Sequence, residues 1–242
     1  MCEKASDCKK NIAIVLAGGH GSRMKSDIPK QYMLINGKPL LYYSLSVFQD
    51  SFIDEIVLVC READMDFVKN DIVAKYNFNK VKIIVPGGKE RFNSVYNGLL
   101  AVHDRCGFND ANIFIHDGAR PCIDSNILGR ALECVTVNRA CVVAVPVKDT
   151  IKIVAEDKTA VSTPDRSTLW QIQTPQVFDY GLIWEAYSAL ADNREDISVT
   201  DDAMVVERFT DAKVHMCEGS YFNIKVTTPE DIQIAEIFLN KK

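Results

Sequence analysis

The sequence predicts one α/β domain in which a mostly parallel sheet lies between two layers of helices. Short apolar runs that end in glycine or polar residues alternate with segments of helical apolar spacing. This alternation is typical of βαβ units, whose parallel strands are covered by helices on both faces. A chain of 242 residues with 47% hydrophobic residues is long enough for one sizeable core. We therefore predict a single domain over residues 11–242, preceded by a flexible extension over residues 1–10.

The strands of the predicted sheet are short runs rich in branched apolar residues: Asn11–Leu16, Glu55–Cys60, Val81–Val85, Ala111–Ile115 and Ala140–Pro146. The segments between them have helical spacing: Pro39–Gln49, Ala63–Tyr76, Phe92–His103 and Asp124–Val137, with Asp124 as a predicted N-cap. The rest of the chain predicts helices near Tyr180–Leu190 and Thr200–Arg208, a strand pair around Ala212–Val226 and a final helix Pro229–Leu239. Because the carboxyl ends of parallel strands meet at one edge, a ligand site is expected there.

Residues 148–176 interrupt this rhythm. Thr150–Val154 alternates in polarity, residues 156–158 are typical of a turn, and Thr159–Thr163 has the length of a returning strand. We predict a protruding β-arm. A two-stranded excursion is marginally stable alone, so the arm is expected to pack against a partner, and a second copy of the chain is the obvious one.

Composition excludes several classes of protein. The net charge of −5 is a poor match for a nucleic-acid surface, and the longest apolar runs are too short to span a bilayer. The first ten residues lack the apolar region of a secretion signal, and the eight cysteines include no C-x-x-C pair. The sequence therefore predicts a cytoplasmic protein with reduced thiols that binds neither nucleic acid nor membrane.

The loop after the first strand carries three glycines, Gly18, Gly19 and Gly21, which allow backbone N–H groups to approach a phosphate. The loop is not a P-loop, because position 23 is Arg and no G-K-S/T sequence follows the glycines. Nor is it a dinucleotide fingerprint, because Met24 replaces the third glycine. Arg23 and Lys30 are close enough in sequence to converge on one phosphate, where cationic donors stabilise phosphoryl transfer.

Two later strands also end in polar loops. Pro86–Ser94 contains a Gly-Gly pair and places Ser94 at the start of the next helix, where a base or ribose contact and a simple helix cap are equally good interpretations. In His116–Pro121, Asp117 follows a predicted parallel strand, a natural position for a Mg²⁺ ligand that acts together with phosphate oxygens. His116 is interpreted as a hydrogen-bonded structural residue. Local basic residues on an acidic chain suit a nucleoside triphosphate.

Several further motifs occur in a fixed order: Pro146–Thr150, Thr163–Trp170, Gln173–Gln176, Thr200–Ala203 and Asn223–Thr227. Together with the first loop and His116–Pro121, they resemble the 2-C-methyl-D-erythritol 4-phosphate cytidylyltransferase family of isoprenoid precursor synthesis. The resemblance covers essentially the whole chain from Asn11 onward. It implies a Rossmann-like, three-layer nucleotidyltransferase fold and a homodimer with interlocking arms. It also implies attack of the methylerythritol phosphate on the α-phosphate of CTP, with pyrophosphate leaving.

The resemblance also implies roles for individual residues. Arg23 and Lys30 would stabilise the transition state, while Arg166 and Lys225 complete the catalytic set. The nucleotide-binding residues would be Ala17, Gly18, Gly19, Gly21, Arg23, Gly88, Ser94, Asp117 and Gly118. The residues that hold the alditol phosphate would be Arg120, Thr150, Arg166, Thr174, Thr200 and Lys225. Asp117 would also hold Mg²⁺ or another divalent cation, and Arg166 would reach the active site of the neighbouring copy.

The sequence departs from the family pattern at three positions. Gly118 stands where alanine is usual, Ser22 where a second basic residue is common, and Lys89 where some members carry an acid. Three alternatives remain open: a ribitol 5-phosphate cytidylyltransferase, a transferase for another base such as a uridylyl- or guanylyltransferase, and a non-catalytic nucleotide sensor. Retention of both Arg23 and Lys30 argues against the sensor, because binding alone does not need both.

Overall fold

A computed structural model describes residues 9–19, 28–106, 111–193 and 198–241 of the chain. Its strands are β1 (Lys10–Ala17), β2 (Leu34–Ile35), β3 (Lys38–Pro39), β4 (Glu55–Cys60), β5 (Val81–Pro86), β6 (Ala111–Asp117), β7 (Ala140–Pro146), β8 (Ile153–Val154), β9 (Ala160–Ser162), β10 (Trp170–Asp179) and β11 (His215–Glu218). Its helices are α1 (Leu40–Gln49), α2 (Met65–Phe67), α3 (Arg91–Cys106), α4 (Ser125–Asn138), α5 (Tyr180–Asp192), α6 (Asp202–Phe209) and α7 (Pro229–Leu239).

Seven strands form the central sheet in the order β11-β7-β10-β6-β1-β4-β5. Neighbouring strands are parallel except at β10, which pairs antiparallel with both β6 and β7. The predicted mostly parallel sheet is therefore confirmed. The carboxyl ends of β1, β4, β5, β6 and β7 meet at one edge, and the amino end of β10 joins them there because Trp170 lies opposite Pro146.

The core lies on both faces of this sheet. Along β1, Ala13 and Val15 face a cluster that includes residues of α1 and α4, while Ile12 and Ile14 face a cluster with residues of α3, α5 and α6. All four side chains are at most 1% exposed, as expected for a strand covered by helices on both sides. The predicted three-layer arrangement follows from this alternation of apolar side chains.

Several helix boundaries have the local causes that the sequence predicts. Asp124 caps α4 by accepting a hydrogen bond from the Ile127 N–H at 2.9 Å. At the start of α7, the Asp231 carboxylate accepts from the Thr228 N–H at 2.8 Å, and Pro229 takes the first helical position. The helix predicted over 63–76 is less regular, since a 3₁₀ turn precedes α2 and a π-helical segment over Val68–Ala74 follows it.

The structure corrects the sequence interpretation in two places. Residues 170–176, which the sequence assigned to the arm, begin β10 inside the central sheet. The polar residues of this segment do not predict a buried strand. Gln173 and Gln176 are nevertheless buried, because they form hydrogen bonds with Ser220 and Asp201 from distant segments. The predicted strand pair around Ala212–Val226 contains one described strand, β11, which pairs parallel with β7 instead of with a second strand nearby.

The thiols described in the structure, those of Cys60, Cys122, Cys134, Cys141 and Cys217, are all free. Burial raises the pKa of Cys60 to about 11, which keeps this thiol protonated at neutral pH. Four of these five side chains are buried, in agreement with the interpretation of the cysteines as small core residues. Within the described ranges, no helix is both long enough and apolar enough to cross a bilayer.

Candidate active site

Two adjoining cavities open at the carboxyl-end edge of the sheet. The first has a volume of about 280 Å³ and is lined by Ala17, Gly18 and Gly19 of the first loop, by Lys30, and by Gly88 and Ser94 of the loop after β5. The second has a volume of about 300 Å³ and is lined by Arg120, Thr174 and Thr200. Arg91, Asp117 and Lys225 line both cavities, so they form the wall where the two meet.

Asp117 is the central residue of this shared wall. Its Oδ2 lies 2.7 Å from the Lys225 ammonium, and its Oδ1 lies 3.3 Å from Nε of Arg91. Burial alone would raise the pKa of Asp117, but the positive charges of Arg91, Lys225 and Arg120 outweigh burial and hold this pKa far below its ordinary value. Asp117 therefore stays ionised at neutral pH and lies between the cations of Lys225 and Arg91.

A hydrogen-bond chain orients the backbone at this point. The Asp117 N–H donates to Oγ1 of Thr174 at 3.1 Å, and that hydroxyl lies 3.0 Å from Nδ1 of His116. Nε2 of His116 lies 3.3 Å from the carbonyl oxygen of Arg120, which can only accept. The His116 hydrogen is therefore on Nε2, and Nδ1 accepts from Thr174. This arrangement agrees with the interpretation of His116 as structural.

The buried His116 makes stability depend on pH. Burial lowers the pKa of His116 to about 4, with Arg120 acting in the same direction and Asp117 opposing both. Since the unfolded state takes up this proton near pH 6.5, the free energy of unfolding is expected to fall from pH 6.5 toward 4, by up to about 1.4 kcal/mol per pH unit. Urea unfolding between pH 5 and 7 measures this slope.

The matched comparison for this pH effect uses two histidine variants. The His116→Gln variant should lose the slope, while a variant of the exposed histidine of β11, His215→Gln, should keep it. A wild-type slope in His116→Gln would contradict the assignment.

Lys30 is half-buried in the wall of the first cavity. It opens a 3₁₀ turn, Lys30–Tyr32, and its ammonium donates to the carbonyl oxygen of Val226 at 2.9 Å. The next residue, Gln31, is buried and donates through Nε2 to the carbonyl oxygen of Ala17 at 2.7 Å. These contacts hold Lys30 beside the end of β1 and beside the segment that carries Lys225.

The glycine loop after β5 is closed by Ser94. The Ser94 hydroxyl accepts from the Gly88 N–H at 3.0 Å and donates to the Glu90 carbonyl oxygen at 3.2 Å. A Cβ at position 88 would overlap with Asn93, so only glycine fits this turn. Ser94 therefore shapes the loop that lines the first cavity.

The surroundings of Gly118 leave little room for a side chain. Its N–H donates to the Leu16 carbonyl oxygen at 2.9 Å, which ties the loop after β6 to the first loop. A Cβ at position 118 would come within 2.8 Å of Cδ1 of Leu41 and 3.0 Å of that carbonyl oxygen. A larger residue at position 118 would therefore require the Leu41 side chain to move.

The second cavity has a cationic wall. The Arg120 guanidinium donates to the carbonyl oxygens of Asn223 at 2.9 Å and Ile172 at 3.4 Å. Its Nε is buried without a hydrogen-bond partner among the residues that the structure describes. Together with Lys225, Arg120 gives this cavity a positive charge that suits a phosphate group.

The structure does not bring every predicted site residue together. Arg166 and Thr150 are exposed on the arm and line neither cavity, and the Arg166 guanidinium donates to the carbonyl oxygen of Lys148 at 2.9 Å. Gly21 and Arg23 lie outside the described residues. All the other predicted site residues lie at or directly beside the two cavities.

Sequence reasoning missed two charged residues. Arg91 lies inside the loop Pro86–Ser94 but is given no role there, and Asp202 is included only as part of the motif Thr200–Ala203. In the structure, Asp202 is buried and receives a bidentate pair of hydrogen bonds from Arg91, both at 2.8 Å. The position of Arg91, at the start of a helix directly after a glycine loop, could have marked it as a candidate site residue. Its pairing with Asp202 could not be predicted from local sequence, because the two residues are 111 positions apart.

Asp117 fits a role as one protein ligand of a divalent cation. Each of its oxygens keeps a second lone pair beside its ion pair, and the carboxylate faces the first cavity. Mg²⁺ typically takes one or two carboxylates, with phosphate oxygens and waters completing its shell. No group of three or more acidic, histidine or cysteine side chains among the described residues could hold a metal without the substrate.

The chain is similar to proteins of one family along nearly its whole length. A family model for 2-C-methyl-D-erythritol 4-phosphate cytidylyltransferase matches residues 11–241. The protein of that name from Lachnospira eligens is 53% identical over 230 residues, which are 95% of this chain and 99% of that protein. A crystal structure of 4-diphosphocytidyl-2C-methyl-D-erythritol synthase from Anaerococcus prevotii is 35% identical, with 96% of each chain covered and a TM-score of 0.81.

A second solved structure has the same architecture. The Francisella tularensis 2-C-methyl-D-erythritol 4-phosphate cytidylyltransferase is 32% identical, with a TM-score of 0.79 over 95% of this chain and 100% of that one. The resemblance carried by the ordered motifs is thereby confirmed, and so is the predicted nucleotidyltransferase fold. The chain belongs to the 2-C-methyl-D-erythritol 4-phosphate cytidylyltransferase family, the CTP-dependent nucleotidyltransferases of isoprenoid precursor synthesis.

Proposed function

We propose that this chain transfers a cytidylyl group from CTP to 2-C-methyl-D-erythritol 4-phosphate, giving 4-diphosphocytidyl-2-C-methyl-D-erythritol and pyrophosphate. The observation that carries the proposal is the pair of adjoining cavities that share Arg91, Asp117 and Lys225. In a member of this family, one cavity suits the nucleotide and the other suits the alditol phosphate, with the reacting phosphates meeting at the shared wall.

The proposed mechanism depends on charge neutralisation and alignment. The incoming phosphate is already anionic near pH 7, so the step needs no general base and no covalent nucleophile. Lys30 and Arg23 stabilise the charge that accumulates on the α-phosphate, and Lys225 aligns the attacking phosphate. Arg120 and Thr174 bind the acceptor in the second cavity, while the backbone of residues 17–19 and 88 surrounds the nucleotide.

A divalent cation, Mg²⁺ in the first instance, belongs to this proposal. When bound, it neutralises the triphosphate and favours departure of pyrophosphate. Asp117 is its proposed protein ligand.

We further propose a cytoplasmic homodimer assembled through the arm, in which Arg166 and Thr150 complete the alditol phosphate site of the neighbouring copy. Two observations support this proposal. The arm carries exposed apolar side chains, namely Ile151, Ile153, Val154 and Val161, and its Arg166 lines neither cavity of its own chain. An apolar two-stranded excursion of this kind gains stability from a partner surface.

A substrate panel tests the proposed function. Purified protein is assayed for pyrophosphate release with each of the four nucleoside triphosphates, against methylerythritol phosphate and against ribitol 5-phosphate. Turnover of CTP with methylerythritol phosphate is expected. Turnover of ribitol 5-phosphate alone would support the sister activity, preference for another triphosphate would change the base, and nucleotide binding without pyrophosphate release would indicate a sensor.

The arm proposal predicts a selective defect in the Arg166→Ala variant. Use of the alditol phosphate should weaken by about tenfold or more in kcat/KM, while CTP binding stays near its wild-type level, because a lost substrate contact acts mainly on that substrate. Steady-state kinetics with each substrate varied in turn measure this difference. Arg130→Ala is the matched control, since Arg130 also donates to a backbone carbonyl oxygen, that of Glu218. Unchanged kinetics in Arg166→Ala would count against the arm proposal.

A further inference from the structure

A continuous chain of hydrogen bonds runs from the helical layer to the wall between the two cavities. The Tyr187 hydroxyl on α5 donates to Oδ1 of Asp202 at 2.6 Å. Both terminal nitrogens of Arg91 donate to the two oxygens of Asp202 at 2.8 Å, and Nε of the same guanidinium donates to Asp117 at 3.3 Å. One side chain at the start of α3 therefore joins two carboxylates from α6 and β6.

The two ends of this chain differ in exposure. The Asp202 side chain is 0% exposed and lines neither cavity, whereas the Arg91 side chain is 26% exposed and lines both. A buried carboxylate requires a paired cation, and a bidentate guanidinium–carboxylate pair is the best-oriented form of such a pair. Asp202 therefore holds the two terminal nitrogens of Arg91 without itself lining a cavity. Nε of Arg91 remains to contact Asp117 at the junction, the wall where the two cavities meet.

The position of Lys225 depends on the same chain. Its ammonium lies 2.7 Å from Asp117 at the end of a long side chain that is 38% exposed. A flexible lysine of this kind is oriented by the carboxylate that it contacts, and that carboxylate is oriented by Arg91. Displacement of a reacting group by about 1 Å can cost a hundredfold in rate, so such orientation matters for the transfer step.

We propose that Arg91 is a positioning residue for cytidylyl transfer: held by Asp202, it fixes the Asp117 carboxylate and, through it, the Lys225 ammonium at the junction of the two cavities. This inference rests on the proposed function, because it assigns to the junction the step in which the two substrates meet. It gives Asp202, which touches neither cavity, a role that acts only through Arg91.

The first test is the Arg91→Lys variant, which keeps the charge but loses the planar fork that reaches both carboxylates. We expect kcat to fall at least about tenfold while KM for CTP changes less than about threefold, since alignment is lost and binding is not. Arg105→Lys is the matched control. Arg105 lies on the same helix, and its Nε pairs with Glu55 at 2.9 Å away from both cavities.

A double-mutant cycle provides the second test. If Asp202 acts only through Arg91, combining Asp202→Asn with Arg91→Lys should lower kcat no further than the worse single variant does. Thermal unfolding of each variant gives the folded fraction to which kcat is referred. If Asp202→Asn does not fold, the split between kcat and KM in Arg91→Lys decides the question.

Three results would overturn the inference: a kcat for Arg91→Lys within twofold of wild type, an equal loss in Arg105→Lys, or single losses that multiply in the double variant. All ratios are taken with the triphosphate and the alditol phosphate that the wild-type protein uses fastest. The test therefore remains decisive even if the substrate panel changes the proposed substrate.

Discussion

Replacing Lys30 by alanine is expected to lower kcat by at least about a hundredfold, the usual cost of removing a transition-state donor. Lys30 lies in the wall of the first cavity, and the Val226 carbonyl oxygen accepts from its ammonium at 2.9 Å. In the proposed mechanism, its charge acts on the pentacoordinate α-phosphate more strongly than on bound CTP. For this reason kcat and kcat/KM should fall together, with little change in KM for CTP. Arg23→Ala is expected to behave in the same way.

The control for this prediction is Lys80→Ala. Lys80 is also a lysine whose ammonium donates to a backbone carbonyl oxygen, that of Ser51 at 2.6 Å, but it lines neither cavity. Its removal should leave turnover unchanged. Initial rates of pyrophosphate release, with circular dichroism to verify folding, provide the measurement. Near-normal turnover in Lys30→Ala would refute its assigned role.

The second large effect is expected for Asp117→Asn. The substitution keeps the size of the side chain and the backbone hydrogen bond to Thr174, but it removes the charge that Lys225 and Arg91 pair with. The proposed metal ligand is weakened and the two cations lose their common partner. We expect kcat to fall at least about a hundredfold and the concentration of Mg²⁺ needed for half-maximal rate to rise.

Stability should change as well in Asp117→Asn. The substitution leaves the Lys225 ammonium without its carboxylate, while Arg91 keeps its pair with Asp202. For such a loss in a partly exposed ion-pair network, a decrease of about 1–3 kcal/mol in the free energy of unfolding is expected. The matched control is Asp64→Asn, because the Asp64 carboxylate also pairs with an arginine, Arg61, at 2.6 and 2.7 Å, and lines neither cavity. Urea unfolding and Mg²⁺ titrations of the rate separate the two effects. Wild-type rates and Mg²⁺ dependence in Asp117→Asn would remove Asp117 from the mechanism.

Local sequence was sufficient for most secondary-structure elements. Glu55–Cys60 and Ala140–Pro146 form strands over the predicted residues, because branched apolar side chains favour a strand and a run of this length suits a strand covered on both faces. The cap at Asp124 and the start at Pro229 were equally readable, since each depends on contacts within one turn of helix. The glycine loop and Asp117 could be singled out as candidate site residues from their residue types and positions after strands, and Gly18, Gly19 and Asp117 do line the first cavity. Their roles in binding phosphate and metal stay predictions.

Other features depend on contacts between residues that are far apart in the chain. The strand β10 could not be recognised from its polar residues, because Gln173 and Gln176 are satisfied by partners near residues 220 and 201. Asp202 has no local signal of function, because its importance comes from Arg91, 111 residues earlier. Such pairs form only when the order of strands in the sheet brings their loops together.

The sequence by itself therefore determined the alternation of strands and helices, the family and the loops that are proposed to bind phosphate. The tertiary structure decided how those loops divide into two cavities, that Arg91, Asp117 and Lys225 form the wall between them, and that the arm residues Arg166 and Thr150 lie outside both. The physical reason is that hydrophobic periodicity and turn chemistry act over a few residues, whereas the meeting of charges at a sheet edge is set by strand order and packing.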